Sequence, residues 1–201
     1  MKALLKKVLF AFHATLLFPA ILLMKFHGEK DIIRQDIDRW INNRDLPLKN
    51  NVFGFVNLLA FYKECRNVFY YRIGKWRYFT CFFYPAMPTA FIYSGRGKIG
   101  PGFDIAHGTS VHILAKSIGQ NCTVFQNVTI GSGRNGDLPV IGNNAWICAG
   151  ANVLGGITLG DNVIVGAGTT VTKNIESNST VASQRLCYIM RDGEKVDWMP
   201  V

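Results

Sequence analysis

Histidine is the side chain best suited to exchanging a proton near neutral pH. The chain has four: His13, His27, His107 and His112. The first two lie in an apolar arm and are poor candidates for a catalytic base. A zinc site of the three-histidine kind would need more than His107 and His112, the two in the second half of the chain. The five cysteines, Cys65, Cys81, Cys122, Cys148 and Cys187, are odd in number, irregularly spaced and without a CxxC pair. That pattern fits free thiols in a reducing compartment, with no metal expected.

The elements around these residues differ sharply between the two halves. Residues 1–98 carry 16 Lys/Arg against 6 Asp/Glu, whereas residues 99–201 carry 6 against 7, so the net charge of +9 comes from the first half. An anionic partner is expected there. A membrane surface suits it better than nucleic acid, because the aromatics stand in apolar blocks and no nucleic-acid motif appears. Val8–Met24 (VLFAFHATLLFPAILLM) is flanked by Lys2, Lys6 and Lys7 before and Lys25, Lys30 and Arg34 after. Its length is at the lower limit for a span. Positive charge on both flanks argues for both ends on one side, and Pro19 should kink it. An interfacial or re-entrant helix is therefore favoured over a span, and no signal-peptidase site follows. A second apolar block, Phe79–Tyr93, extends the membrane face or packs between subunits.

Four regions are expected: a basic apolar arm (1–28), a helical region (29–98), a repeat region (99–182) and a tail (183–201). In the helical region, Lys30–Asn43 places Ile33, Ile37, Trp40 and Ile41 at helical spacing. Asn57–Ile73 places Leu58, Phe61, Tyr62, Cys65, Phe69 and Ile73 likewise, with Gly74 as the stop.

From Ile99 the chain repeats every six residues. Ile99, Ile105, Val111, Ile118, Val124, Ile130, Ile141, Ile147, Val153, Leu159, Val165 and Val171 open successive units. Nine of the eleven intervals are six residues, one is seven and one is eleven. A short fixed period means that each unit stacks on the next and buries one side chain. β-Branched aliphatics fit stacked short strands. Three units per turn give a triangular coil, so the fold class is α+β: a helical region followed by a parallel β-helix of about four coils. Gly100, Gly119, Gly131, Gly142, Gly160 and Gly166 follow the aliphatic residues, where they are expected to accept a turn's positive φ. The long interval, SGRNGDLPV, is a loop projecting from the coil.

This register resembles the hexapeptide-repeat acyltransferases over residues 99–182, which implies a left-handed coil. Ile99–Ile113 (IGPGFDIAHGTSVHI) looks like the segment that carries the catalytic histidine of serine acetyltransferases and of colanic-acid-type capsular acetyltransferases. Phe125–Gly131 and Ile141–Thr172 resemble their acetyl-CoA-binding coils. The resemblance implies that His107 is the general base, taking the proton of an acceptor hydroxyl as its oxygen attacks the thioester, with His112 structural or facing solvent. It implies acetyl-CoA as co-substrate, lying beside Gly131, Ala149, Gly150 and Ala167, with Lys173 near the phosphates. It also implies a homotrimer in which the loop reaches a neighbouring subunit and helps form its active site, with Arg134, Asn135 and Asp137 as candidate acceptor or CoA contacts.

The departures guide the choice of acceptor. Serine acetyltransferases have Asp directly before the catalytic histidine, where this chain has Ala106. They have an Arg-His pair before the loop proline, where it has Gly136-Asp137-Leu138-Pro139. Their histidine-orienting Asp maps onto Ile92, so that role passes to Asp104 or a backbone carbonyl. Serine's ammonium and carboxylate are costly to leave unpaired in a closed site. The expected acceptor is therefore a hydroxyl of a sugar in a surface polysaccharide or its lipid-linked precursor, acetylated at the inner face of the cytoplasmic membrane. The alternative is serine O-acetylation, and a third reading is a non-catalytic or metal-dependent β-helix.

Overall fold

The computed structural model describes residues 2–183 apart from Cys81 and Arg96, with side chains from Leu4 onward, and the backbone of 187–191 and 194–200. All twelve aliphatic residues of the six-step series are buried, none more than 5% exposed. They line a parallel β-helix with three faces. One face stacks β1 (Ala90–Ile92), β3 (Val111–Ile113), β6 (Thr129–Gly131), β9 (Asn152–Leu154) and β12 (Thr170–Val171). A second stacks β2 (Asp104–Ile105), β5 (Thr123–Val124), β8 (Trp146–Ile147), β11 (Ile164–Val165) and β13 (Thr180–Val181). The third contains β4 (Ser117–Ile118), β7 (Val140–Ile141) and β10 (Thr158–Leu159), extended by single bridges at Ile99 and Ile175. The coil makes about five turns rather than four, because β1 and β13 lie outside the range in which the strict period is legible. A backbone hairpin, β14 (Cys187–Arg191) with antiparallel β15 (Glu194–Pro200), follows.

Gly100, Gly119 and Gly142, which follow the aliphatic residues, serve close approach instead of positive φ. None of the six expected positions has φ above zero. A β-carbon at Gly100, Gly119 or Gly142 would lie 2.6–2.8 Å from backbone atoms of the glycine one turn on. The left-handed corner is taken by Asn121, Asn144, Asn162 and Asn178, at φ 54–61. Asparagine tolerates this region because its amide bonds locally. Here Asn144 Nδ2 donates to Asn162 Oδ1 at 2.9 Å, and Asn162 Nδ2 to Asn178 Oδ1 at 2.7 Å, forming a ladder along one corner.

Five helices precede the coil: α1 (Lys2–Leu16), α2 (Phe18–Phe26), α3 (Lys30–Asn43), α4 (Val52–Phe61) and α5 (Lys63–Ile73), then a 3-10 turn over Gly74–Phe79. The expected single helix over 57–73 is broken at Tyr62 (φ −116, ψ 99), whose ring instead lies under the Arg44 guanidinium, 5.6 Å from the ring centroid. No single helix among the described residues is long and apolar enough to cross a membrane. The pair Leu4–Leu16 and Phe18–Phe26 passes that test only together and is bent by 70°, two residues before Pro19.

α3 and α5 clamp the helical region onto the first coil. Trp40 Nε1 donates to Phe103 O at 2.9 Å. Arg72 is 1% exposed and pairs with Asp36 at 2.8 and 3.2 Å, while also donating to Ile99 O and Gly100 O. Burial pushes the Asp36 carboxyl upward, and Arg72 opposes this. The pair therefore fixes where the middle of α3 and the end of α5 meet the coil.

Candidate functional site

The β-helix corner after β2 is irregular. Ile105 stacks on Val124 and Ile113 on Ile130. Eight residues separate the first pair of positions in the upper turn, where six separate them in the next. The two extra residues bow the Ala106–Ser110 corner outward, and His107 sits on it, exposed, at φ +59. Val111 thus stacks over Val128, so the six-step count passes through this corner without registering the insertion. The seven-residue interval that follows was its only trace.

Beside this corner is a cleft of about 490 Å3, lined by His107, Ala106 and Asp104 from the first coil and by Thr123, Phe125 and Trp146 below. Asn43, Arg44, Tyr62 and Glu64 form its helical wall. Helix ends account for the charges. Arg44 caps the C-terminus of α3 and Glu64 lies in the first turn of α5, each at the dipole end that favours its sign. Arg44 donates to Asp104 Oδ1 at 2.9 Å, to Ile105 O at 3.0 Å and to Glu64 Oε1 at 3.4 Å. Asn43 Nδ2 donates to Asp104 Oδ2 at 2.9 Å. Asp104 is 2% exposed and fully engaged, whereas Glu64, which also lines the cleft, makes one long contact, to Arg44. Thr123 Oγ1 is buried at the cleft floor with no hydrogen-bond partner among the described residues. The cleft thus holds an imidazole, one guanidinium and two carboxylates. Its acidic excess suits an acceptor that carries an ammonium group as well as a hydroxyl.

The other expected residues divide between two corners. Ala149, Gly150 and Ala167 stack below His107 on its own corner, where Gly168 N donates to Ala149 O and Gly150 N to Gln126 O. Gly131, Arg134, Asn135, Asp137 and Lys173 lie at the next corner. There Gly155 N donates to Gly131 O, and the Asp137 side chain packs against Gly156. Arg134, Asn135, Asp137 and Lys173 are exposed. The subunit does not bring this second group to His107. His112 is away from the cleft on β3, its ring stacked on Phe91 at 5.1 Å. His13 bonds the Tyr84 hydroxyl, and His27 accepts from Glu29 N. Asn43, Arg44, Tyr62 and Glu64 were not anticipated. They come from the helical half, and the only signal was opposite charges at two helix ends.

The chain matches the bacterial transferase hexapeptide (six repeats) family model over residues 139–173. It is 31% identical over 175 residues to a serine acetyltransferase of Synechococcus elongatus, covering 79% of this chain and 68% of that one. In structure it is similar to Entamoeba histolytica serine acetyltransferase isoform 3 in complex with cysteine (TM-score 0.61, 27% identity, 85% of this chain and 64% of that one). It also shares the fold of Brucella abortus serine acetyltransferase in complex with coenzyme A (TM-score 0.58, 22% identity, 80% and 68%). These likenesses overturn the expectation of a sugar acceptor, and they give no support to a colanic-acid or capsular subfamily or to a lipid-linked acceptor. The premise behind that expectation was drawn from the repeat alone, and the helical wall adds Arg44 and Glu64 to the cleft beside Asp104. By the relative that it matches across more than two thirds of its length, the chain belongs to the serine acetyltransferase family of hexapeptide-repeat transferases.

Proposed function

We propose that the protein is an acetyl-CoA-dependent serine O-acetyltransferase. The observation that carries this reading is the placement of His107 in one cleft with Arg44, Glu64 and Asp104, on the fold of relatives that are serine acetyltransferases. His107 takes the proton from the serine hydroxyl as its oxygen attacks the thioester carbonyl carbon. The new ester C–O bond forms, the C–S bond breaks, and the imidazolium returns the proton to the departing CoA thiolate, so the base is regenerated. Glu64 takes the substrate ammonium, and Arg44, while bonded to Asp104, supplies the positive charge that attracts the carboxylate. Asp104 holds Arg44 in place, a positioning role in the substrate pocket rather than toward the imidazole. Ala149, Gly150 and Ala167, stacked under His107, leave a smooth strip along which pantetheine runs.

Gly131, Arg134, Asn135, Asp137 and Lys173 act from a neighbouring subunit of a homotrimer, because one subunit keeps them at a different corner. Dependence on acetyl-CoA assigns the reaction to the cytoplasm.

The test is thioester cleavage with serine as acceptor. Serine should be turned over. Glu64→Gln should raise the serine KM about tenfold, the size of one charge-assisted hydrogen bond, with much less effect on an acceptor that has the hydroxyl but no ammonium. Efficient transfer to neutral hydroxyl compounds with serine inert would defeat the proposal.

A further inference from the structure

α1 packs on the helical core through Phe10, Ala14 and Leu16, and α2 through Ala20 and Met24, with Leu17 buried between them. Their outer faces are bare. On α1, Leu5 (68% exposed), Val8 and Phe12 (58%) recur at helical spacing. On α2, Phe18 (57%), Leu22 and Phe26 (78%) do the same. Around Phe26 the surface continues onto Trp76 of the 3-10 turn, which shares a shallow cavity with Leu22 and Phe26. Apolar side chains this large, exposed together, mark an interaction surface.

Charge identifies the occupant. Lys6, Lys7 and Lys25 are exposed among these residues, and the first acidic residue of the chain is Glu29. A second copy docked on this face would oppose lysine to lysine with no carboxylate between them. A surface of anionic lipid pairs every one of them, and lysine stems reach past apolar neighbours to headgroups. The bend of 70° lays the helices as an L, too short to cross singly but fitted to lie in the headgroup layer.

From this geometry we infer that α1 and α2 form a peripheral docking face for an anionic bilayer surface. It seats the acyltransferase on the membrane without crossing it.

The experiment is flotation of the full-length protein with phosphatidylcholine vesicles, with and without phosphatidylglycerol. The wild type should float with the anionic vesicles, stay behind with the neutral ones, and lose binding as salt is raised. Lys6→Gln with Lys7→Gln should weaken binding about fivefold per lysine, and Leu5→Ser with Phe12→Ser and Phe26→Ser should abolish it. Thioester cleavage should be unchanged in both, since none of these residues touches the cleft. The exposed lysine pair leaves the core intact, so it decides the matter even if the serine variant is unstable. Wild type that ignores anionic vesicles, or binds neutral ones equally, overturns the inference. So does a serine variant that still floats but sediments as a smaller particle than wild type, since the face would then join copies of this chain.

Discussion

His107 is held at φ +59, where a β-carbon is strained by about 1 kcal/mol. Elsewhere in the coil such positive-φ positions are mostly asparagine, at Asn121, Asn127, Asn144, Asn162 and Asn178. Keeping a histidine in such a position is most simply explained by what its imidazole does. His107→Asn should therefore retain or slightly raise the melting temperature while lowering kcat by about 10²–10⁴, with CoA affinity, read by calorimetry, unchanged. An Asn variant with near wild-type turnover would remove His107 from the chemistry. The cysteines offer a second residue-scale check. Burial pushes the Cys122 thiol up to about 11 and the Cys65 thiol well above its ordinary value. At pH 8 only about one Cys122 in a thousand is then thiolate, the reactive form. Peptide-resolved alkylation should label half-buried Cys148 in the folded protein and reach Cys65 and Cys122 only after unfolding.

Two kinds of element were unequally legible in sequence. The coil could be read because its determinants are local and periodic: each aliphatic residue stacks on a counterpart a fixed number of residues away. What periodicity could not reveal was the purpose of each small residue. Gly142 and Asn162 both look like turn formers, yet Gly142 is needed because a β-carbon would lie 2.6 Å from the Gly160 backbone, whereas Asn162 carries the left-handed corner. Gly142→Ala should cost about 1–3 kcal/mol by overpacking, measured by chemical denaturation. Gly131→Ala, where the nearest atom is 4.0 Å away, should be nearly neutral in stability. The helical wall was far less legible. Arg44 meets Asp104 across sixty residues of chain, and nothing in the spacing of either residue foretells that contact. The break at Tyr62 lacks a proline or glycine signal, and tertiary contact with Arg44 overrides a continuous helical pattern. The same long-range logic makes Arg72 decisive. Arg72→Met should leave Asp36 buried without its partner and destabilise the protein by about 3–5 kcal/mol, an effect that Asp36→Asn in the same chain should partly relieve.

At the scale of the whole molecule, the division of candidate residues between two corners has a consequence for assembly. One corner of the prism holds His107, Ala149, Gly150 and Ala167, and the next carries the projecting loop with Arg134 and Asn135. In a closed three-fold ring each subunit would present its loop to a neighbour's His107 corner, so every site would be shared. Two defective chains should then complement each other. His107→Ala removes the base and keeps the loop; replacing 132–138 with a short turn removes the loop and keeps the base. Each should be inactive alone, and the loop variant should still assemble, since its deletion touches no inward-facing residue of the coil. After unfolding and refolding together in equal amounts, a site is competent only where an intact His107 meets an intact loop from the next subunit. Random assembly around a three-fold ring makes that arrangement at about one site in four, so about a quarter of wild-type turnover should return. Activity that stays at zero on mixing, with mixed trimers verified by mass, would mean that loop and base serve the same subunit or that the loop has no part in the site.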